Sequence, residues 1–393
     1  MPATPFFVFP APERLTFPPA MLTSDFDFSF PESQIALRPL PRGEARLMVL
    51  SGSGKFPDPF PLLHAFGTFG EHAFGQAKDL IDVLQAGDAL VLNDTKVLRA
   101  RLQGTLETGG GCEVLLLKPW ASSVPEFSDG STWECMAKPG RKLQPGRTIT
   151  FSQGLSAETL EVLPEGERVL RFNLSGQAFY EALEQAGSIP LPPYIRRDAD
   201  ADDAETYQTV FAANPGSVAA PTASLHLSED MLAALEAKGV RLVKVTLHVG
   251  AGTFRPVQTE RIADHPMHSE AFTLSEESAR ILNETRSRGS RIFAVGTTAA
   301  RVLETCCLPD ASGKNTLQAR SGETSIFIYP GYRWKAVDAL LTNFHWPKST
   351  LFMLVAARLG ADETGVARAK AAYAEAIARG FRLFSYGDGM LIL

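Results

Sequence analysis

The sequence has few cysteines and no long apolar run. Its 393 residues include four cysteines, Cys112, Cys135, Cys306 and Cys307, without a CxxC pair or a histidine spacing suited to zinc. Adjacent cysteines rarely form a disulfide, so we expect reduced thiols in the core. No apolar stretch approaches the roughly 20 residues of a membrane-spanning helix. The Pro-rich opening lacks the basic start and apolar stretch of a secretory signal, which favours a cytoplasmic protein.

The chain also lacks an excess of positive charge. It carries 38 Lys and Arg against 44 Asp and Glu, a formal net charge of −6, so any attraction to nucleic acid must be local. One acid-free run, AKPGRKLQPGR, contains Lys138, Arg141, Lys142 and Arg147 and offers charges to phosphates. Charge alone favours a solvated hairpin loop over a phosphate site.

The pattern of apolar residues predicts an α/β main domain with an inserted small all-β, barrel-like domain. Between residues 97 and 186, short apolar segments such as CEVLLLK, RTITF and RVLRF alternate with Gly, Pro and Ser turns. The flanking segments instead alternate strand and helix patterns. We therefore expect an irregular arm over residues 1–21, a main domain over 22–96 plus 187–393, and a turn-rich surface excursion over 51–76.

Two turns of the predicted main domain are candidate ligand sites. In VKVTLHVGAGTF, Val243, Val245, Leu247 and Val249 share one face of a strand, and His248 lies near its end before glycines. In RIFAVGTTAARVLE, an apolar strand runs into Gly296 and then into a helix. Ligands of open α/β sheets bind at the carboxyl ends of strands, so we expect the two turns to be neighbours.

Six polar clusters interrupt apolar surroundings and combine a base with small residues that allow a ligand to approach. They are Asn93–Thr95, Thr222–His226, His248–Phe254, His265–Glu270, Ser321–Thr324 and Asn343–His345. Each also has a structural explanation, since a lone buried histidine usually makes a hydrogen bond and Gly-Thr pairs serve turns and caps. The sequence contains no HExxH motif, which argues against a metal hydrolase. Its Gly250-Ala251-Gly252 turn has Arg255 where a dinucleotide-binding motif has its third glycine, which argues against that fold.

Several long strings in one order resemble the S-adenosylmethionine:tRNA ribosyltransferase-isomerase family of queuosine biosynthesis. They span nearly the whole chain after residue 21 and are SDFDF (24–28), LNDTKVLRARL (92–102), IPLPPYI (189–195), YQTVFA (207–212), VAAPTASLHLS (218–228), TLHVGAGTFRPV (246–257), HPMHSE (265–270), GTTAARVLE (296–304), SGETSIFIYPGY (321–332), LLTNFHWPKSTL (340–351) and FSYGDGMLIL (384–393).

The resemblance implies an enzyme that consumes S-adenosylmethionine as a cosubstrate and needs no metal. The family transfers and isomerises its ribosyl group onto the aminomethyl group of 7-aminomethyl-7-deazaguanine at the tRNA wobble position. Epoxyqueuosine-tRNA, adenine and methionine are the products. The sulfonium acidifies the neighbouring ribose carbon, so a base must lie beside that carbon. The partner is a tRNA anticodon stem-loop, and we expect a monomer without a membrane contact.

The resemblance also suggests roles for individual residues. We expect His248 or His226 to move the proton and Glu270 or Glu323 to balance the sulfonium. Cofactor contacts are expected from Thr222, Gly250, Gly252, Thr253, Phe254, Gly296, Thr297, Thr298, Arg301, Asn343 and His345. Substrate or tRNA contacts are expected from Asp94, Lys138, Arg141, Lys142, Tyr194, Arg196, Arg197, His268, Tyr329 and Tyr332. The aromatic residues suit stacking on a base, and equally suit a hydrophobic core.

Two other functions remain as alternatives. The first is a tRNA-binding protein of the same fold that has lost catalysis. The second is an S-adenosylmethionine-dependent methyltransferase, which would release S-adenosylhomocysteine rather than adenine and methionine.

Overall fold

The structure is a computed structural model that describes residues 21–52, 68–69, 72–120, 131–250, 252 and 256–393. The predicted arm therefore lies outside the described residues except for Met21. The strands are β1 (Arg46–Leu50), β2 (Thr68–Phe69), β3 (His72–Gln76), β4 (Ala89–Asn93), β5 (Thr95–Val97), β6 (Arg101–Leu106), β7 (Gly111–Pro119), β8 (Thr132–Lys138), β9 (Thr148–Thr150), β10 (Ser156–Val162), β11 (Arg168–Phe172), β12 (Gly187–Ser188), β13 (Asn214–Ser217), β14 (Arg241–Leu247), β15 (Glu270–Leu274), β16 (Ile292–Val295), β17 (Cys307–Pro309), β18 (Asn315–Leu317), β19 (Arg320–Thr324), β20 (Ala339–Asn343) and β21 (Gly389–Ile392).

The described residues contain fewer α-helices than strands. The α-helices are α1 (Leu80–Val83), α2 (Gly176–Ala186), α3 (Asp203–Thr206), α4 (Glu229–Ala237), α5 (Glu276–Ser287), α6 (Gly296–Cys306), α7 (Thr350–Leu359) and α8 (Glu363–Ala378). Single-turn 3-10 helices are Thr23–Phe26, Glu32–Gln34, Ala77–Asp79, Gly140–Lys142, Thr222–His226 and Ile262–Asp264. Helix α4 begins after Ser228, whose hydroxyl accepts a hydrogen bond from Met231 N, and the chain turns at Gly239 with φ +90°.

A large mixed sheet forms the main body, in the order β19-β15-β14-β4-β16-β20-β21-β1-β3-β2. Its centre is parallel, because β14 and β16 both pair with β4 in parallel and β16 pairs with β20 in the same way. The carboxyl ends of these four strands therefore lie at one edge of the sheet. Part of the predicted surface excursion belongs to this sheet, since β3 pairs with β1. Residues 53–67 and 70–71 of that segment lie outside the described residues.

Both faces of the central strands are buried. Along β4, Ala89 and Val91 pack into one hydrophobic core, and Leu90 and Leu92 pack into a second core on the opposite face. A strand covered on both faces reads as a continuous apolar run, as ALVLN does. The half-exposed strand β14 keeps the predicted alternation, with Val243, Val245 and Leu247 buried.

A second sheet closes into a six-stranded antiparallel barrel of β6, β7, β8, β11, β10 and β9, because β6 pairs with both β7 and β9. The predicted barrel is therefore confirmed, and its strands lie between Arg101 and Phe172. The predicted all-β stretch also contains a helix, α2, whose Phe179 stacks on Trp133 in the barrel core with ring centroids 5.6 Å apart. The domain boundaries at residues 97 and 186 stay a prediction.

The cysteines and the helices test two further predictions, that of reduced thiols and that of a chain without a membrane-spanning helix. All four cysteines are free and buried, as predicted. Within the described residues, no helix combines the length and apolar character needed to cross a membrane.

Candidate active site

The parallel strands bring several of the predicted polar clusters to one edge of the main sheet. Asn93 ends β4, His248 follows β14, Gly296 follows β16 and Asn343 ends β20. Asn93 joins two of these ends, since its Oδ1 accepts a hydrogen bond from Leu247 N at 2.9 Å and its Nδ2 donates to Leu247 O at 3.0 Å. The predicted proximity of the two glycine turns follows, because β4 alone separates β14 from β16.

His248 is half-buried at this edge and is held by several contacts. Its Nδ1 lies 2.8 Å from Thr95 Oγ1, and its backbone N donates to Ala271 O at 3.0 Å. Gly216 packs so closely that a Cβ at that position would lie 2.8 Å from the imidazole ring. Burial lowers the pKa of His248, against a smaller raising effect of Asp94. The imidazole is therefore neutral near pH 7 and has a lone pair for a proton.

Glu270 and Arg301 form a buried ion pair beside this histidine. Arg301 comes from α6 and also donates from Nη2 to Thr324 O at 3.2 Å. The other carboxylate oxygen of Glu270 accepts a hydrogen bond from Gly250 N at 2.8 Å. Because Arg301 neutralises the carboxylate, the pair is suited to fixing the glycine turn after β14.

Glu323 lies on β19, opposite Ala271 of β15. Its side chain is exposed, and its Oε2 accepts a hydrogen bond from Ser269 Oγ at 2.8 Å. Unlike Glu270, it presents its carboxylate to the solvent side of the sheet edge. This geometry suits a countercharge for a cationic ligand.

A cavity of about 740 Å³ separates the barrel from this edge of the sheet, and we call it the His248 cavity. The barrel side contributes residues that include Lys118, Trp133, Glu165 and Tyr180. The sheet side contributes residues that include His248, Gly250, Gly252, His268, Glu270 and Glu323. Three of the four predicted catalytic residues therefore share one cavity that is large enough for a small-molecule substrate.

A second, smaller cavity of about 70 Å³ lies at the ends of β16 and β20, and we call it the Trp346 cavity. Six predicted residues line it: Thr222, Gly296, Thr297, Thr298, Asn343 and His345. Tyr194 also lines it and stacks on Trp346, with centroids 5.7 Å apart and planes 14° apart. Sequence reasoning missed Trp346 and Phe384 in this wall. Phe384 has φ +71°, a left-handed backbone that bulky residues rarely adopt outside functional or constrained sites.

A third cavity, of about 20 Å³, lies against both of them. It shares Gly252, His268 and Glu270 with the His248 cavity, and Leu351 with the Trp346 cavity. Arg301 also lines it and has a buried Nε that makes no hydrogen bond with any described residue. Thr253 and Phe254, two predicted cofactor contacts, lie outside the described residues.

The comparisons with known proteins show the family of this chain. A family model described as queuosine biosynthesis protein matches residues 23–392. The chain belongs to the S-adenosylmethionine:tRNA ribosyltransferase-isomerase family of queuosine biosynthesis. A relative of that name from Desulfitobacterium hafniense is 44% identical over 377 residues, which cover 95% of this chain and 100% of the relative. A crystal structure titled S-adenosylmethionine tRNA ribosyltransferase, from Thermotoga maritima, is 32% identical, covers 94% of this chain and 100% of its own, and has a TM-score of 0.48. The predicted family and enzyme class are confirmed.

His226 is separate from the cavity that holds the other predicted catalytic residues of this family member. It is buried, and its Nε2 lies 3.1 Å from Asn343 Oδ1. Asn343 Nδ2 in turn donates to Phe384 O at 2.9 Å. Burial lowers the pKa of His226 to about 4, so the ring is neutral. These contacts favour a structural role, in which His226 holds Asn343 at the wall of the Trp346 cavity.

His345 and Asp94 also make local contacts. His345 Nε2 lies 2.7 Å from Thr342 Oγ1, and burial lowers the pKa of its imidazole. Asp94 accepts a hydrogen bond from Thr246 Oγ1 at 2.7 Å. His268 is exposed and lies against Gly252, where a Cβ would come within 2.2 Å of its ring.

The predicted RNA contacts of this family member fall into two groups. Lys138, Arg141 and Lys142 are exposed on the barrel and form no ion pair with a described residue. Arg196 is exposed and lies 3.5 Å from Glu32. Arg197 instead donates both terminal nitrogens to buried Asp203, at 2.5 and 2.7 Å. Asp203 therefore neutralises the charge of Arg197 within the fold, which argues against a contact between Arg197 and RNA phosphates.

Two of the predicted aromatic contacts, Tyr329 and Tyr332, do not line the His248 cavity or the Trp346 cavity. Tyr332 donates to Glu304 Oε2 at 2.9 Å, and burial raises its pKa. Tyr329 packs on Phe327 with centroids 4.9 Å apart.

No group of three or more His, Cys, Asp or Glu side chains that could hold a metal lies within the described residues. The expected lack of a metal stays a prediction.

Proposed function

We propose that the protein transfers and isomerises the ribosyl group of S-adenosylmethionine onto the aminomethyl group of 7-aminomethyl-7-deazaguanine at the tRNA wobble position. Epoxyqueuosine-tRNA, adenine and methionine are the products. The observation that carries this proposal is the half-buried His248, whose pKa is lowered by burial, in the cavity of about 740 Å³ that Glu323 and Gly250 also line. The family supplies the reaction class, and this constellation supplies a base and a countercharge. The setting we propose is a cytoplasmic monomer.

His248 is the proposed general base. When its Nδ1–H donates to Thr95 Oγ1, the lone pair lies on Nε2, where it can take the proton of the ribose carbon next to the sulfonium. The contacts with Thr95 and Gly216 fix the ring orientation before substrate binds. Preorganisation of this kind lowers the cost of reaching the transition state.

Glu270 and Glu323 take different parts in this proposal. Glu270 is already neutralised by Arg301 and holds Gly250 N, so it positions the turn that approaches the cosubstrate. Glu323 is exposed at the cavity and serves as the countercharge to the sulfonium. The Trp346 cavity, with Tyr194 and the start of α6, takes the adenine.

The target base must leave the anticodon-loop stack to reach His248. The His248 cavity opens between barrel and sheet, so the proposed path of the RNA runs along the barrel, where Lys138, Arg141 and Lys142 are exposed. Phosphate contacts from such cations would position the loop without reading its sequence.

One product assay separates this proposal from its alternatives. The protein is incubated with S-adenosylmethionine and tRNA that carries either the aminomethyl deazaguanine or ordinary guanine at the wobble position. We expect equal amounts of adenine and methionine with the first tRNA alone. Release of S-adenosylhomocysteine would instead indicate a methyltransferase, and tight tRNA binding without any release would indicate a binding protein.

A further inference from the structure

A fourth cavity, of about 340 Å³, lies on the outside of the barrel and has no part in the chemistry described above. We call it the Met136 cavity. Its lining is mainly apolar and includes Leu115, Met136, Leu191, Pro193 and Val218. Met136 is 39% exposed and is one of five exposed large hydrophobic residues in the described part of the chain.

The Met136 cavity and the His248 cavity lie along the same two segments. The outer face of the β7–β8 ribbon contributes Leu117 and Glu134 to the His248 cavity, and Leu115 and Met136 to the Met136 cavity. Leu115 and Met136 are directly opposite in the register of this ribbon. On the other side, Pro215 and Gly216 line the first cavity, and Val218 lines the second.

The two cavities are therefore neighbours along one strand direction. Two residues of a β-strand span roughly 7 Å, and this is the step from Leu117 to Leu115. Adjacent nucleotides of an unstacked RNA strand are separated by a comparable distance. The step between the two cavities along β7 is thus about the length of one nucleotide.

The charges around the Met136 cavity suit a polyanionic strand. Glu113, at its edge, is neutralised by Arg101 at 2.7 Å. Lys138 lies opposite Glu113 in the β7–β8 register and is exposed, and Arg141 and Lys142 follow it. An apolar floor removes the face of an unstacked base from water, and cations at the rim attract its phosphate.

We propose that the Met136 cavity is a second nucleobase subsite, which holds the nucleotide next to the target base of the RNA substrate. The base packs on Leu115 and Met136, and Lys138 contacts the adjoining phosphate. This inference rests on the proposed function for the identity of the RNA. It adds a contact that anchors the loop while the target base is in the His248 cavity.

The test uses an anticodon stem-loop RNA that carries the aminomethyl deazaguanine, and two further RNAs that lack the base on its 5′ or its 3′ side. Binding is measured by fluorescence anisotropy for the wild type, Met136→Glu and Met136→Leu. Leu40→Glu is the matched control, because Leu40 is equally exposed, at 40%, and lies outside all four of these cavities. Adenine release is measured on the same samples.

We expect one of the two abasic RNAs to bind the wild type about tenfold more weakly, because the apolar contact between one base and the cavity is then lost. Met136→Glu should bind the complete RNA about tenfold more weakly and show no further loss with that abasic RNA, whereas Met136→Leu and Leu40→Glu bind like the wild type. Equal binding of all three RNAs by the wild type, or equal weakening by Met136→Glu and Leu40→Glu, overturns the subsite. If this binding pattern holds while no variant releases adenine, the subsite stands and the proposed reaction fails.

Discussion

The imidazole Nδ1 of His248 lies 2.8 Å from the hydroxyl oxygen of Thr95, and this contact joins the residue that follows β14 to the first residue of β5. It fixes which ring nitrogen faces away from the protein backbone. Because a neighbouring hydroxyl already orients the base, the free-energy cost of aligning it during the reaction is small.

Replacing His248 by alanine should lower the single-turnover rate by about 10²- to 10⁴-fold, which is the usual contribution of a general base. Thr95→Val should lower the rate less, because the imidazole remains and loses only its orienting partner. Affinity for tRNA, measured by anisotropy, should change little in both variants. A His248→Ala protein that keeps more than half of the wild-type rate would exclude His248 as the base.

The pH dependence of the same rate tests the protonation state of His248. Burial lowers its pKa below the ordinary value of about 6.5 for histidine, so the neutral, basic form is already dominant at neutral pH. The single-turnover rate should rise through that lowered pKa and stay level above neutrality. Because Asp94 favours the protonated ring, Asp94→Asn should move the acidic limb to still lower pH. A shift of the limb to higher pH would contradict this electrostatic assignment.

The Glu270–Arg301 pair is buried on both sides, with side chains 6% exposed. Removing one partner leaves the other charge buried and unpaired, so Glu270→Gln should lower the free energy of unfolding by about 3–5 kcal/mol. Glu323→Gln is the matched control on the neighbouring strand, and its exposed position predicts a change within about 0.5 kcal/mol. Urea denaturation measures both. A double variant, Glu270→Gln with Arg301→Met, should recover part of the loss, since no charge is then left unpaired.

The sequence predicted much of the fold because the apolar pattern was strong. The period of two along Val243, Val245 and Leu247 appears as a strand with one buried face, and the short apolar segments after residue 100 appear as barrel strands. Helix α2 was missed inside that stretch, although Phe179, Ala182 and Leu183 have the spacing of one helical face. Its apolar face closes the barrel core, which is a tertiary contact that a strand-rich context conceals.

The site was only partly predictable for a similar reason. Strand ends can be placed from a sequence, and His248, Gly296 and Asn343 do lie at one edge. The pairing of Glu270 with Arg301 joins β15 to α6, and the stacking of Tyr194 on Trp346 joins segments far apart in the chain. No local pattern encodes such partners. The separation of His226 from the His248 cavity could not be read from its motif, which looks equally suited to catalysis.

His226 should make stability depend on pH. Its pKa is about 4 in the folded protein and about 6.5 when unfolded, so the unfolded chain binds more protons between these values. Stability should be unaffected above pH 6.5 and fall as the pH drops from 6.5 to 4, by on the order of 3 kcal/mol from this group. His226→Gln should flatten that part of the pH dependence, whatever its stability at pH 8. Parallel curves for wild type and variant would show that His226 does not titrate in this window.

The basic residues of the barrel and Arg197 should separate into two functional classes. Lys138, Arg141 and Lys142 are exposed and form no ion pair with a described residue, so a triple change to glutamate should weaken tRNA binding. The slope of log K against log salt should also fall by about 2–3, because fewer phosphates are then neutralised by the protein. Arg197→Ala should instead destabilise the fold, because buried Asp203 loses its bidentate partner. Binding isotherms at several salt concentrations and urea denaturation of both variants make the comparison. A triple variant with the wild-type salt slope would move the RNA path away from this face of the barrel.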